Sequence, residues 1–214
     1  MDQYPATEKT SITRLPKRGS YDPATIHAIL DQALVCTIAF VRDGQPSQIP
    51  TGFVRIGETL YIHGSVGSTY MRRLAAEKTA VSISVTHLDG LVLARSLFHH
   101  SVNYRSVSMF SESQLITDRD ELDQVLEAFT EKICKGRWAD ARKPTENEWK
   151  ATMVLAFPIL EAVAKVRTGD PKDDEEDYSL DIWAGVLPLQ TVKGAPVADG
   201  RLKPGVNLPD YLKP

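Results

Sequence analysis

Two short stretches carry side chains suited to holding an anion. The first is His63-Gly64-Ser65, followed by Ser68 and then, one helical turn on, by Arg72. A strand, a Gly-rich turn and a helix start would aim free backbone N–H groups and a positive dipole end at such a ligand. Ser65 and Ser68 add hydroxyl donors, and Arg72 falls on the same helix face as Ser68. A plain helix cap with surface arginines would use the same residues. The run is not a Walker loop, because no Gly-Lys-Ser/Thr follows. His63 also stands where the hydrolase elbow requires glycine.

The second stretch is Asn103-Tyr104-Arg105-Ser106, inside a strand-like run from Val102 to Val107. Alternation puts Arg105 on the side that carries Val107 and Met109. An unpaired buried guanidinium is costly, so Arg105 needs either an internal carboxylate or a bound anion. A phosphate would accept two parallel hydrogen bonds from it and a third from Ser106. His99-His100 is the one histidine cluster, but neighbours on a strand point oppositely and no Cys or carboxylate stands at ligand spacing. No metal site is expected there. Lys165 and Arg167 alternate on another strand face, which suits the mouth of a site or simple solvation.

The elements that must position these residues read mainly as β. Asp22-Pro23 with Ile26, Ile29 and Leu30 predicts a capped helix. Asp43-Gly44 and Asp89-Gly90 each sit between strand-like runs and predict two hairpins. A strand from Thr59 to Ile62 leads into the Gly-rich turn. Asp118 and Glu121 have capping-box spacing ahead of a stripe of Leu122, Val125, Leu126, Phe129 and Ile133, and Thr145 with Glu148 repeats the signal. The run 153–169 reads as a strand pair or one bent strand broken at Pro158. Residues 173–177 read as a solvated acidic turn, with a last short strand near Trp183. Tight turns imply antiparallel pairing, and the pattern predicts a small antiparallel barrel flanked by helices.

With 214 residues, 42% hydrophobic and 25% charged, the chain suits one globular domain. We divide it into an N-terminal arm over 1–20, a barrel domain over 21–192 and an extended Pro/Gly-rich tail over 193–214. A formal net charge of −3 argues against a nucleic-acid partner. No apolar run approaches the roughly 20 residues of a membrane helix, and the polar N-terminus has no signal-like core, so a cytoplasmic, membrane-free setting is expected. Cys36 and Cys134 are expected to be free thiols without catalytic duty.

Read together, "LYIHGS", "DGLVLARSLFHHSVNYRSV", "AKVRTG" and "WAG" resemble the pyridoxamine 5'-phosphate oxidase-related, FMN-binding split-barrel proteins, in the flavin-nucleotide-binding branch. The resemblance runs in order over about residues 11 to 190. It implies a six-stranded antiparallel split barrel that forms a homodimer, with FMN in clefts between protomers. It places backbone groups around Ile49, Pro50 and Thr51 beside the isoalloxazine, and His63, Gly64, Ser65, Ser68 and Arg72 at the flavin phosphate. Asn103, Tyr104, Arg105 and Ser106 would close the phosphate site, and Trp183 would stand for a Trp-bearing strand of the true oxidases. Their paired basic residues for substrate phosphate are not found near the C-terminus, where Lys165 and Arg167 are the candidates to stand in. The expected activity is an FMN-dependent oxidation or reduction of a small molecule, with the chemistry carried by the flavin. A flavin-storing or flavin-sensing module is the second reading. A haem-binding barrel relative with His99 or His100 as axial ligand is the third.

Overall fold

The computed structural model describes residues 3–76 and 78–213. Eleven strands are seen among them, all paired antiparallel in two sheets. The large sheet contains β1 (Gly19–Ser20), β2 (Val35–Arg42), β3 (Gln45–Gly52), β6 (Ala80–Leu93), β7 (Ser101–Glu112) and β10 (Glu161–Arg167), in the order β1-β10-β7-β6-β2-β3. A further strand, β11 (Gly185–Pro188), pairs with the second half of β6. The small sheet has the order β4-β5-β9-β8, formed by β4 (Val54–Ile56), β5 (Thr59–Ser65), β8 (Gln114–Ile116) and β9 (Thr152–Pro158). This is the mainly β, antiparallel class that the hairpins predict, but two packed sheets stand in place of a closed barrel, and edge pieces bring the strands to more than six.

The sheets are joined where the chain steps from one to the other. Residues 158–161 carry it from β9 to β10, so the run around Pro158 is a strand pair divided between two sheets. Val81, Ile83, Val85, Val107 and Met109 face inward from the large sheet, and meet Leu60, Ile62, Leu155 and Phe157 of the small one. The other side of β5 is buried as well. Tyr61 packs with Val54, Val125, Phe129, Val154 and Ala156 beneath α3 (Arg119–Ile133). Two covered faces explain why Leu60, Tyr61 and Ile62 of β5 are apolar and buried in succession rather than in alternation.

Helix starts follow the expected caps. In α1 (Pro23–Gln32) the Asp22 carboxylate accepts from the Thr25 N–H at 2.8 Å, and Ile26, Ile29 and Leu30 are buried. Asp118 accepts from the Glu121 N–H at 2.9 Å, while the Glu121 carboxylate accepts from the Tyr61 hydroxyl at 3.0 Å instead of folding back on the cap. Thr145 and Glu148 make the full capping box of α5 (Glu146–Lys150). The remaining helices are α2 (Thr69–Ala76) and α4 (Arg137–Asp140).

The two Asp-Gly pairs behave differently. Asp43 and Gly44 have φ of 52° and 75°, both left-handed, and close the β2–β3 hairpin as expected. Asp89-Gly90 does not turn the chain, which corrects the second predicted hairpin. It is a β-bulge inside the 14-residue β6: Leu88 opposes Tyr104, Gly90 opposes Asn103, and Asp89 is the extra residue. Glycine is required because β11 crosses against it; a Cβ on Gly90 would lie 3.0 Å from Val186 and 3.2 Å from the Leu187 carbonyl.

The arm and tail both return to the body. Tyr4 is buried, and its hydroxyl contacts His27 at 2.8 Å and donates to Glu58. Far along the exposed tail, Tyr211 donates to Asp140 at 2.6 Å and lies against Gly136. No helix among the described residues is long and apolar enough to cross a membrane.

One half-buried cation makes a pH prediction. Lys132 on α3 lies 3.7 Å from the Phe53 ring centroid and donates to the Leu30 carbonyl, and burial lowers its pKa to about 8. Above that value the folded chain has released a proton that the unfolded chain keeps up to about 10.5, so this group's contribution to stability rises with pH across that window. Tyr4 and the Cys36 thiol, pushed up by burial, pull the other way at high pH. The comparison is therefore between parent and Lys132→Met. Denaturant titrations should show the variant's relative stability falling by about 1–3 kcal/mol between about pH 7 and about pH 10.

Candidate functional site

At the end of β3 the chain passes Ile49, Pro50 and Thr51 opposite Ile38, Thr37 and Cys36 of β2. Because β3 is an end strand of the large sheet, half of its backbone N–H and C=O groups face away from β2 and are open to another partner. Gly52 then abuts the Phe129 ring, at 3.8 Å from the position a Cβ would take. On the other side of Phe129 lies His63, edge-on at 4.4 Å between ring centroids. Phe129 thus joins the end of β3 to the end of β5, a role that the helical stripe alone could not reveal. The imidazole keeps an open face, yet the packing against Phe129 desolvates it and lowers its pKa, so it is neutral at neutral pH.

From His63 the chain makes the expected turn. Gly64 packs directly on Met71 of α2, where a Cβ would meet Met71 Cγ at 3.0 Å. Ser65 Oγ accepts from the Gly67 N–H at 3.1 Å, and the Ser68 N–H donates to the Ser65 carbonyl at 2.9 Å. Arg72 N–H donates to the Ser68 carbonyl, so Ser68 sits at the head of α2. The N–H groups just after it point outward as the orphan donors of a helix start. Arg73 is taken up by Asp43, at 3.0 Å from both guanidinium nitrogens, whereas Arg72 is exposed and makes no ion pair among the described residues. His63, Gly64, Ser65, Ser68 and Arg72 therefore follow one another from the end of β5 onto α2 as a candidate cradle with an uncommitted cation, and Phe129 links His63 to the end of β3.

The second stretch is elsewhere in the chain. Strand β7 is separated from β3 by β6 and β2, which at ordinary strand spacing is about 14 Å. Arg105 does not face an open anion site. It forms a two-point pair with Asp89, Nε at 2.9 Å and Nη2 at 2.8 Å, and donates to Gln32 at the end of α1 at 2.6 Å. The bulge at Asp89 supplies the internal carboxylate, one of the two partners that the sequence leaves open for the guanidinium. The pair holds the Asp89 carboxyl below its usual range. Asn103 is buried and accepts from Arg167, while Ser106 Oγ contacts the Lys165 carbonyl at 3.3 Å. Tyr104 lies opposite Leu88. Trp183 is largely exposed and its ring covers Gly185 at the start of β11.

Residues 173–177 are not simply solvated. The Asp173 side chain is fully buried and accepts from the N–H groups of Arg95 and Ser96 at 2.9 and 3.1 Å, and from the Arg95 guanidinium. That clasp fixes the loop that presents His99 and His100. His100 Nδ1 lies 3.0 Å from the Ser96 carbonyl, and His99 Nε2 lies 3.3 Å from Asp174. No group of three or more His, Cys, Asp or Glu gathers as a metal site among the described residues.

The sequence model of the family described as pyridoxamine 5'-phosphate oxidase matches residues 22–166, which is most of the chain and includes β2 to β10. The chain belongs to the pyridoxamine 5'-phosphate oxidase family. Within that family it is similar to the flavocytochrome Anf3 from Azotobacter vinelandii, at 35% identity over 96% of this chain and 95% of that one, with a TM-score of 0.90. It is also similar to the FAD and haem binding protein from Mycobacterium smegmatis, at 39% identity over 91% of this chain and 95% of that one, with a TM-score of 0.84. A putative 5-nitroimidazole antibiotic resistance protein from Bacteroides thetaiotaomicron, 20% identical over 69% of this chain and 86% of that one with a TM-score of 0.57, shares the fold. No curated protein matched the chain. Membership of the pyridoxamine 5'-phosphate oxidase family accounts for the split architecture and for the run from β5 into α2, and leaves the substrate open.

Proposed function

We propose that this chain binds a flavin nucleotide in the β3–β5–α2 cradle and uses it for electron transfer to or from a small molecule. The observation that carries the reading is the uncommitted, exposed Arg72 one helical turn beyond the Ser65–Ser68 turn at the head of α2, with His63 linked through Phe129 to the end of β3. Such a cradle suits one phosphate group, from backbone N–H groups, hydroxyls and a guanidinium together. FMN presents that group with the least additional bulk and is the first flavin expected. The protein's own groups bind and orient the flavin, and the flavin supplies the redox chemistry. His63, neutral and beside Phe129, offers a hydrogen-bonding edge rather than a charge to whatever occupies the cradle.

The two similar full-length chains described above favour a further element of the reading. One is described as a flavocytochrome and the other as binding FAD and haem, so FAD is the alternative flavin and haem the second group. His100 is the residue that would hold such a group. A donation from its Nδ1–H to the Ser96 carbonyl leaves Nε2 free and orients the ring, as the outer-shell partner of a ligating imidazole does. The histidine would hold the iron, and haem would add a one-electron centre.

We further propose a homodimer in the cytoplasm. The outer face of the large sheet carries small side chains such as Ala39, Ser82 and Ser108 beside the exposed Val41, with a cleft of about 660 Å³ running past Phe110 and Leu160. A second copy could pack sheet to sheet on that face. Light scattering of the flavin-loaded chain at micromolar concentration should give twice the chain mass; a monomer would contradict the dimer.

The test of function is purification without added cofactor, followed by an absorption spectrum and mass analysis of the released ligand. Flavin bands and an FMN or FAD mass are expected, with a Soret band where haem is also held. A chain that carries neither group and binds neither on titration would overturn the reading. Reoxidation of the photoreduced protein by quinones or nitro compounds faster than that of free flavin marks an oxidoreductase. A rate no faster than free flavin would mark a storage or sensing module.

A further inference from the structure

A cluster of cations without ion pairs among the described residues lies at the edge of the large sheet opposite β3. Two cavities, of about 660 and 250 Å³, share Leu15, Arg18, Arg167 and Lys172 in their walls. The larger adds Lys17, the smaller Arg14 with Phe98, His99 and His100, and neither is lined by a carboxylate. Strand pairing assembles the cluster. Gly19 opposes Lys165 in the β1–β10 ladder, so the residues just before Gly19 run alongside those just after Lys165.

Arg167 is the telling member. It is only 8% exposed, and among the described residues its side chain donates to the neutral Asn103 oxygen. The Asn103 amide in turn is fixed by donation to the Gly169 carbonyl at 3.1 Å. Burial and the nearby Arg18 both weaken the hold of Arg167 on its proton. None of Arg14, Lys17, Arg18, Arg167 and Lys172 makes an ion pair among the described residues, although Asp173 and Asp174 stand one and two positions beyond Lys172. Those two carboxylates serve Arg95 and His99 instead. A desolvated guanidinium clamped in place by an amide and faced by further cations is costly in the empty protein. The cost is recovered when an anion enters.

We propose that the joined cavities are a second ligand site, for a group with two or more negative charges held by Arg18, Arg167 and Lys172. The His99–His100 wall and the fully exposed Leu97 and Phe98 beside it receive the rest of the same ligand. Two sources share this chemistry: the paired carboxylates of haem, and the phosphates of a flavin nucleotide. The naming of these sources rests on the cofactor reading above; the site itself rests on the cavity and on Arg167.

The experiment titrates matched ligand pairs into the full chain and into Arg167→Gln and Lys172→Gln variants. One pair is haemin and its dimethyl ester, in which the carboxylates are masked. The other is FAD and riboflavin, which lacks the phosphates. The parent should prefer the anionic member of at least one pair by tenfold or more, and Arg167→Gln should reduce that preference to threefold or less, with Lys172→Gln between them. A preference that Arg167→Gln removes for haemin alone assigns the site to carboxylates, and one that it removes for FAD alone assigns it to phosphates. The unliganded Arg167→Gln chain should melt no lower than the parent, since the removed charge had no counter-ion. Unchanged preferences in both variants would overturn the site, as would equal losses for both members of each pair with a lower melting temperature. Should the chain bind neither chromophore, the cofactor reading fails separately, and pyrophosphate at low salt becomes the probe. A rise in melting temperature that Arg167→Gln abolishes supports the site, and no rise in the parent overturns it.

Discussion

Arg105→Ala should lower the stability of the chain by about 1–3 kcal/mol and should weaken FMN and riboflavin binding by the same factor, if it weakens either. The guanidinium spans the Asp89 bulge and the end of α1 through three hydrogen bonds, and both members of the ion pair are about 30% exposed. Breaking a buried pair costs most when the surviving charge is left without water, and partial exposure trims that cost. Asp89→Asn should cost less, because a neutral amide can still accept from Arg105. The pair also sets an acid limit. The Asp89 carboxyl titrates below its usual 3.8 when folded, so its contribution is complete above that value and is lost as pH falls through the lower, folded value. Urea titrations of both variants, with parallel FMN and riboflavin titrations, separate this structural role from a phosphate contact. A selective loss of FMN would restore Arg105 to the phosphate.

Much of the framework could be read from local pattern, and the misreadings share one cause. Asp43-Gly44 and Asp89-Gly90 look alike in sequence, yet one closes a hairpin and the other is a bulge within a single strand. What decides between them is remote: β11 laid against Gly90 nearly 100 residues later, and Arg105 placed to take the Asp89 carboxylate. The strand character of 102–107 and the inward side of Arg105 were legible from alternation, but the identity of its counter-ion was not. The β5–α2 turn was legible because its residues are contiguous, whereas Phe129 enters from a helix more than 60 residues on. The basic cavity was out of reach for the same reason. Arg14 and Arg18 meet Arg167 and Lys172 only through the β1–β10 register.

Arg72→Ala is the other change with a large expected effect, and it acts on the cradle alone. Its side chain makes no ion pair and lies exposed on α2, so truncation should leave stability within about 0.5 kcal/mol of the parent. Loss of a charge-assisted contact to phosphate should cost about 1.5–3 kcal/mol of binding, or roughly ten- to hundredfold in FMN affinity. Arg72→Lys should recover part of the loss, since an ammonium keeps the charge but not the planar fork. Riboflavin, which has the ring and ribityl chain but no phosphate, isolates the contact.

The most direct measurement is therefore the titration of FMN and riboflavin into apoprotein of the parent and of Arg72→Ala. The cradle predicts that the parent prefers FMN, that the variant loses tenfold or more of its FMN affinity, and that riboflavin binding stays as it was. Equal affinities of the parent for the two flavins, or equal losses for both in the variant, would contradict a flavin phosphate at the head of α2.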